Sequence, residues 1–169
     1  AIERSVVLNP DHAEHRLTAG WLRHEAGDLA PAEIHLACIA GLPEVEPNVL
    51  AEAAHLRAQM AIKRERPQTA VPLLAQAIGM FPENGHFQNT LGTLHLVLGR
   101  GDDARRALER ARDLLPAATE PCLNLALLME AADQPEQAAA NYAEALRRDP
   151  ACSQAAAGLK KTTLVPVVG

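Results

Sequence analysis

The amino-acid sequence predicts an all-α protein, an α-solenoid of stacked helix-turn-helix repeats. Three observations predict it. Pro82, Pro116 and Pro150 are evenly spaced, since 116 − 82 and 150 − 116 both equal 34. Small residues keep the same phase, Gly92 with Ala126, Ala104 with Ala138 and Ala111 with Ala145. Composition agrees: 48% of residues are apolar but only 2% are aromatic. A globule needs bulky anchors, whereas stacked helices close on Ala and Leu. A fixed period with two helical patterns per period marks a helical repeat array.

Residues 1–10 align under Ala107–Pro116, with Ile2 on Leu108, Glu3 on Glu109, Arg4 on Arg110 and Pro10 on Pro116. They read as the end of a preceding repeat's second helix, so the chain is expected to be a fragment of a longer array. Residues 11–47 form repeat 1. Its first helix spans about Asp11 to Glu25, with Leu17, Gly20 and His24 on one face and Trp21 beside them. Gly27-Asp28 is expected to end that helix and cap the next, with Asp28 accepting a bond from an orphan N–H. Pro31 suits a first helical turn, and the second helix runs to about Ala40. Gly41–Pro47 (GLPEVEP) excludes helix. Ala32 and Ala70 are 70 − 32 = 38 apart, four more than the later period, and the extra residues are assigned to this loop. The loop is either a plain insertion or a partner contact.

Residues 48–82 form repeat 2, with helices over about Asn48 to Arg64 and Pro67 to Met80. Pro72 lies where it bends the second of these. Residues 83–116 form repeat 3, about Gly85 to Leu98 and Asp102 to Leu114, with an apolar stripe at Phe87, Leu91, Leu94 and Leu98. Residues 117–150 form repeat 4, about Glu120 to Ala132 and Pro135 to Arg148, with Thr119 as N-cap. Residues 151–161 hold a capping helix, about Ser153 to Lys161, with Lys160 at a position that is small in the earlier repeats. Residues 162–169 are read as an extended tail.

A net charge of −5 argues against a nucleic-acid partner. No apolar run approaches the ~18 residues of a membrane span, so no membrane insertion is expected. Cys38, Cys122 and Cys152 lack a CxxC pair and read as small buried thiols. His12 and His15 are three apart, and His24 and His55 fall on adjacent repeats. No convergent third ligand joins either pair, so no metal is assigned. Arg105, Arg106, Arg110 and Arg112 read as a solvated second-helix face, self-paired as Asp102 with Arg106 and Arg105 with Glu109. Asp102-Asp103 reads as a helix cap in a turn. No nucleophile elbow, HExxH, phosphate loop or dinucleotide fingerprint is present. The chain is therefore not expected to be an enzyme or to hold a cofactor.

These positions resemble the tetratricopeptide repeat family. Leu91-Gly92 and Leu125-Ala126 match its Leu-plus-small pair, and Ala104 and Ala138 match the small residue of its second helix. Leu108 and Tyr142 match the large position, Ala111 and Ala145 the second small one, and Pro116 and Pro150 the closing proline. The resemblance covers about Ala13 to Pro150. The aromatic that often opens the first helix is replaced by Arg16, Ala54, Gln88 and Cys122.

The resemblance implies a right-handed superhelix whose first helices line a concave groove that binds a peptide or helix of another protein. The groove positions are then Leu17, Trp21, His24, His55, Gln59, Ile62, Asn89, Thr93, Leu96, Asn124 and Leu127. Some members clamp a partner's C-terminal carboxylate with Lys, Asn and Arg. Here no groove position holds Arg and Lys63 is the only nearby Lys, so that clamp is not expected. Asn89 and Asn124 are read as partners for a peptide main chain, and Trp21 as either a binding anchor or core filler. The alternatives are a self-associating structural array joined through its open ends, or an accessory domain of an enzyme whose catalytic part lies elsewhere.

Overall fold

Reversal of the chain at regular intervals organises the fold. The computed structural model describes Val6 and residues 11–163. Between residues 13 and 163 it contains nine helices, and no strand occurs among the described residues. They are α1 (Ala13–Glu25), α2 (Leu29–Ile39), α3 (Pro47–Lys63), α4 (Pro67–Met80) and α5 (Gly85–Val97), then α6 (Gly101–Leu114), α7 (Glu120–Ala131), α8 (Pro135–Arg148) and α9 (Ser153–Thr163). The expected helices match these within one or two residues at each boundary given. The helix tail read at residues 1–10 lies, apart from Val6, outside the described residues, as do residues 164–169. Thr162 and Thr163 belong to α9 rather than to an extended tail, and the Thr162 hydroxyl donates back to Gly158 O at 3.1 Å.

The two helices of each pair are joined by one type of turn. Gly27, Glu65, Gly99 and Asp133 have φ of 79°, 57°, 70° and 57°. Each donates its N–H to the carbonyl three residues back. The next residue donates to the carbonyl five back, as in Asp28 to Arg23 O (2.8 Å), Arg66 to Ala61 O (2.8 Å), Arg100 to His95 O (2.9 Å) and Gln134 to Met129 O (2.9 Å). This is the Schellman motif, which satisfies the orphan carbonyls of the first helix. The left-handed residues recur at 65 − 27 = 38, 99 − 65 = 34 and 133 − 99 = 34, the spacings carried by the small residues.

The extra length of the first interval is not confined to the loop. α2 has 11 residues where α4, α6 and α8 have 14, whereas α3 has 17 against 13 in α1 and α5 and 12 in α7. Pro47, expected to close the loop, is the first residue of α3. Proline tolerates that position because its absent N–H would be unpaired there anyway.

The chain divides into two compact units, Ala1–Pro82 and Glu83–Gly169. In the first, α1 packs on α2 and α3 on α4, while α3 also meets α1 and α2. Its core joins Leu36 and Ile39 to Val49, Leu56 and Met60. In the second, α5 packs on α6, α7 on α8 and α8 on α9, with α7 also against α5 and α6. Its core is built on Leu108, Cys122, Leu125, Met129 and Tyr142. Among the described residues no helix is long and apolar enough to cross a membrane.

Small residues let the paired helices approach. A Cβ on Gly20 would lie 2.5 Å from Leu36 Cδ2, and one on Gly92 would lie 2.4 Å from Leu108 Cγ. Ala104, Ala111, Ala138 and Ala145 are fully buried. In α9 the phase shifts. Lys160 is exposed, and Gly158 is the residue pressed on Tyr142, with a built Cβ only 2.3 Å from Cζ.

Several expected local contacts differ. The Asp28 carboxylate lies 3.1 Å from Arg23 and caps no N–H; its backbone, at φ −80° and ψ 65°, is outside the extended conformation of a capping residue. Thr119 stands at the N-cap of α7 but makes no side-chain cap bond. Asn84 does cap α5, accepting from His86 N (3.0 Å) and Phe87 N (3.3 Å). Asp102 and Asp103 lie inside the first turn of α6, where the helix dipole favours them. Arg106 pairs with Asp103 rather than Asp102. Arg105 leaves its own helix to reach Gln134 Oε1 at 3.2 Å and Met129 Sδ at 3.4 Å. Arg148 donates to Leu115 O (3.0 Å), Ala118 O (2.8 Å) and Glu144 Oε1 (2.8 Å), so the end of α8 holds the linker between α6 and α7. Cys122 is buried as expected, but Cys38 is exposed.

Candidate functional site

The first-helix face of unit 1 is built by helical spacing. Leu17, Trp21 and Glu25 are four apart on α1, and Glu52, His55, Leu56 and Gln59 follow steps of three and four on α3. With Thr18 these side chains line a cavity of about 420 Å³. Gly20 turns toward Leu36 on α2, which leaves Trp21, one position on, 48% exposed. Trp21 is thus a wall of the cavity and not core filler. Glu25, Glu52, Thr18 and Leu56 were missed as lining residues, although Glu25 stands one turn beyond Trp21 and Glu52 one turn before His55.

His24 has a different place from the one expected. It is buried, and its Nε2 lies 3.1 Å from Lys63 Nζ. An ammonium only donates, so Nε2 accepts and Nδ1 carries the hydrogen. Nδ1 is 3.2 Å from Glu25 Oε1. His24 therefore bridges α1 to α3 from beneath and fixes Glu25 at the cavity edge. His55 Nδ1 lies 3.6 Å from Glu52 Oε2. Ile62 is half-buried and outside the cavity lining.

In unit 2 the structure brings together Asn89, Thr93 and Asn124. The Asn124 side-chain amide donates to Asn89 Oδ1 at 3.0 Å and to Thr93 Oγ1 at 3.5 Å. Thr93 Oγ1 in turn donates to Asn89 O at 3.1 Å. The asparagines pair first with each other, and among the described residues Asn89 Nδ2 and Asn124 Oδ1 are left as the open donor and acceptor of the cluster. Leu96 packs against the core, while Leu127 is 43% exposed.

The remaining ionisable groups suit structure better than chemistry. His12 and His15 stack at 3.9 Å. Among the described residues no group of three or more His, Cys, Asp or Glu is placed to hold a metal ion. Burial pushes the Cys122 thiol up, partly opposed by Arg148, Arg112 and Arg147. Burial likewise raises Tyr142, helped by the adjacent Glu130 carboxylate. Burial lowers His95; Asp103 opposes that shift, and Arg100 and Arg106 reinforce it.

Residues 61–118, which contain α4, α5 and α6 whole, match the model of the tetratricopeptide repeat family. Over that stretch the sequence is that of a tetratricopeptide repeat. Solved structures of proteins with such repeats share the fold of the chain. A thermophilic tetratricopeptide repeat (TPR) protein of Thermus thermophilus is 24% identical, with a TM-score of 0.75 over 97% of this chain and 88% of that one. YrrB, a TPR protein with an unusual peptide-binding site, is 20% identical, with a TM-score of 0.70 over 96% of this chain and 81% of its own. Pseudomonas aeruginosa pilF is 20% identical, with a TM-score of 0.78 over 89% of this chain and 67% of its own. At these identities the likeness is one of fold. No curated protein matches the chain at a significant level of sequence similarity. In TPR terms, the unit 1 cavity and the Asn89–Asn124 cluster both lie on first helices, and the arginine-rich surface of α6 lies on a second helix.

Proposed function

We propose that this TPR chain is a protein-interaction module that takes an extended or helical segment of another protein on its first-helix faces. The observation that carries the reading is the cavity beside Trp21, where a large aromatic stands half-exposed over Leu17 and Leu56. Aromatic residues set in a concave, partly apolar surface are characteristic binding anchors. In unit 2 the open amide groups of Asn89 and Asn124 are suited to a peptide main chain. YrrB, which shares the fold, is a protein with a peptide-binding site, and a peptide is the corresponding class of ligand here.

The test is display of random peptides against the full chain, followed by binding measurements with Trp21→Ala and with Asn89→Ala/Asn124→Ala. Weakened binding by at least one of these variants is expected. Unchanged binding by both overturns the assignment of the face. Solution mass separates the self-associating alternative: a monomer at high concentration counts against it.

A further inference from the structure

We propose that the cavity between α1 and α3 selects an arginine or lysine side chain of the partner segment. The inference rests on the interaction reading above and names what this face recognises. Charge decides it. The lining contains two carboxylates, Glu25 and Glu52, and no Lys or Arg. Lys63, the lysine of α3, is turned onto His24 Nε2 and takes no part in the lining. Each carboxylate has one oxygen against a histidine, Glu25 Oε1 at 3.2 Å from His24 and Glu52 Oε2 at 3.6 Å from His55. The second oxygen of each has no hydrogen bond among the described residues. Both side chains are about half exposed, at 57% and 46%, and thus reachable.

The apolar part of the lining fits the same occupant. An arginine or lysine consists of an aliphatic stem with a charge at its tip. Leu17 and Leu56 meet the stem, and the indole face of Trp21 attracts the cation. A guanidinium presents its donors as a planar fork, which suits the carboxylate of Glu25 or of Glu52, each at its own end of the cavity. An acidic side chain would meet like charge instead, and a purely apolar one would gain nothing from either carboxylate.

The test uses the full chain and a library of random ten-residue peptides displayed on phage. Enriched peptides are resynthesised with a fluorescein label and titrated by anisotropy against the wild type, Trp21→Ala and Glu25→Gln/Glu52→Gln. Enrichment of Arg- or Lys-bearing peptides is expected. Replacing that residue with Leu should weaken binding on the order of tenfold, and the double Gln variant should erase the difference. If the enriched peptides lack a basic residue, or the Leu replacement changes binding by less than about twofold while Trp21→Ala still weakens it, the charge selection is overturned and the interaction face stands. If no peptide is enriched, or neither Trp21→Ala nor the double Gln variant changes binding, both readings fall at this cavity.

Discussion

Asn124 donates its side-chain amide to the side-chain oxygen of Asn89 at 3.0 Å, joining α7 to α5 across 35 residues of sequence. The bond is half-buried, so its loss is felt as a missing hydrogen bond with little cavity formation. Asn124→Ala should lower stability by ~1 kcal/mol. A double-mutant cycle with Asn89→Ala checks it, and strictly additive effects would show that the two side chains are not coupled.

The glycines should respond with opposite signs. Gly92→Ala puts a methyl 2.4 Å from Leu108 Cγ and 3.3 Å from its backbone N, in a buried site. Overpacking of this kind costs ~1–3 kcal/mol. Gly79, inside α4, has nothing within 4 Å of a built Cβ. Gly79→Ala should instead stabilise by ~0.5–1 kcal/mol through helix propensity and a less flexible unfolded chain. Denaturant midpoints of the two variants should move in opposite directions.

The Schellman turns allow a comparison of residue types in one conformation. Glu65 and Asp133 adopt at φ 57° what Gly27 and Gly99 adopt at 79° and 70°. Asp tolerates this region better than Glu. Glu65→Gly should therefore stabilise by ~0.5–1 kcal/mol, Asp133→Gly by less, and Gly99→Ala should destabilise by ~1 kcal/mol. Thermal unfolding of the three variants gives the ranking, and a destabilised Glu65→Gly would contradict it.

Sequence patterning carried the fold further than it carried the site. Period and helix boundaries were legible because close contacts at Gly20, Gly92 and Ala104 demand small side chains wherever a pair closes. Half of the turns were legible as well. Gly27 and Gly99 announce a left-handed residue, but Glu65 and Asp133 adopt it with no such mark. Trp21, His55 and Gln59 were placed on one face by the resemblance to tetratricopeptide repeats, which implies that first helices share a groove. What they meet was not legible. The Lys63–His24 bridge spans 39 residues, and which two side chains touch at that range depends on how neighbouring pairs seat, not on local spacing. Asp28 shows the competing effect: its type suits a cap, but the turn had already consumed the geometry a cap needs.

His95 predicts a pH response. Its buried Nδ1 has no hydrogen-bond partner among the described residues, and burial lowers its pKa below 6.5, with Asp103 acting against and Arg100 and Arg106 in the same direction. Just below pH 6.5 the folded chain then binds fewer protons at this site than the unfolded chain does. Stability from His95 is present above that pH and is lost as pH falls through it, levelling below the lowered folded value. His95→Gln should flatten the decline in Tm between neutral pH and about pH 5, relative to wild type. Parallel curves for the two proteins would remove His95 as the cause.

The grip of Arg148 on Leu115 O and Ala118 O has a consequence for proteolysis. A protease must draw its target into an extended strand, and these carbonyls are already engaged by a guanidinium from another helix. Cleavage between α6 and α7 therefore requires α8 to let go first, which makes the linker as durable as the helix that holds it. Arg148→Ala should convert it from a protected crossing into an early cleavage site, visible as a new pair of fragments in limited digestion.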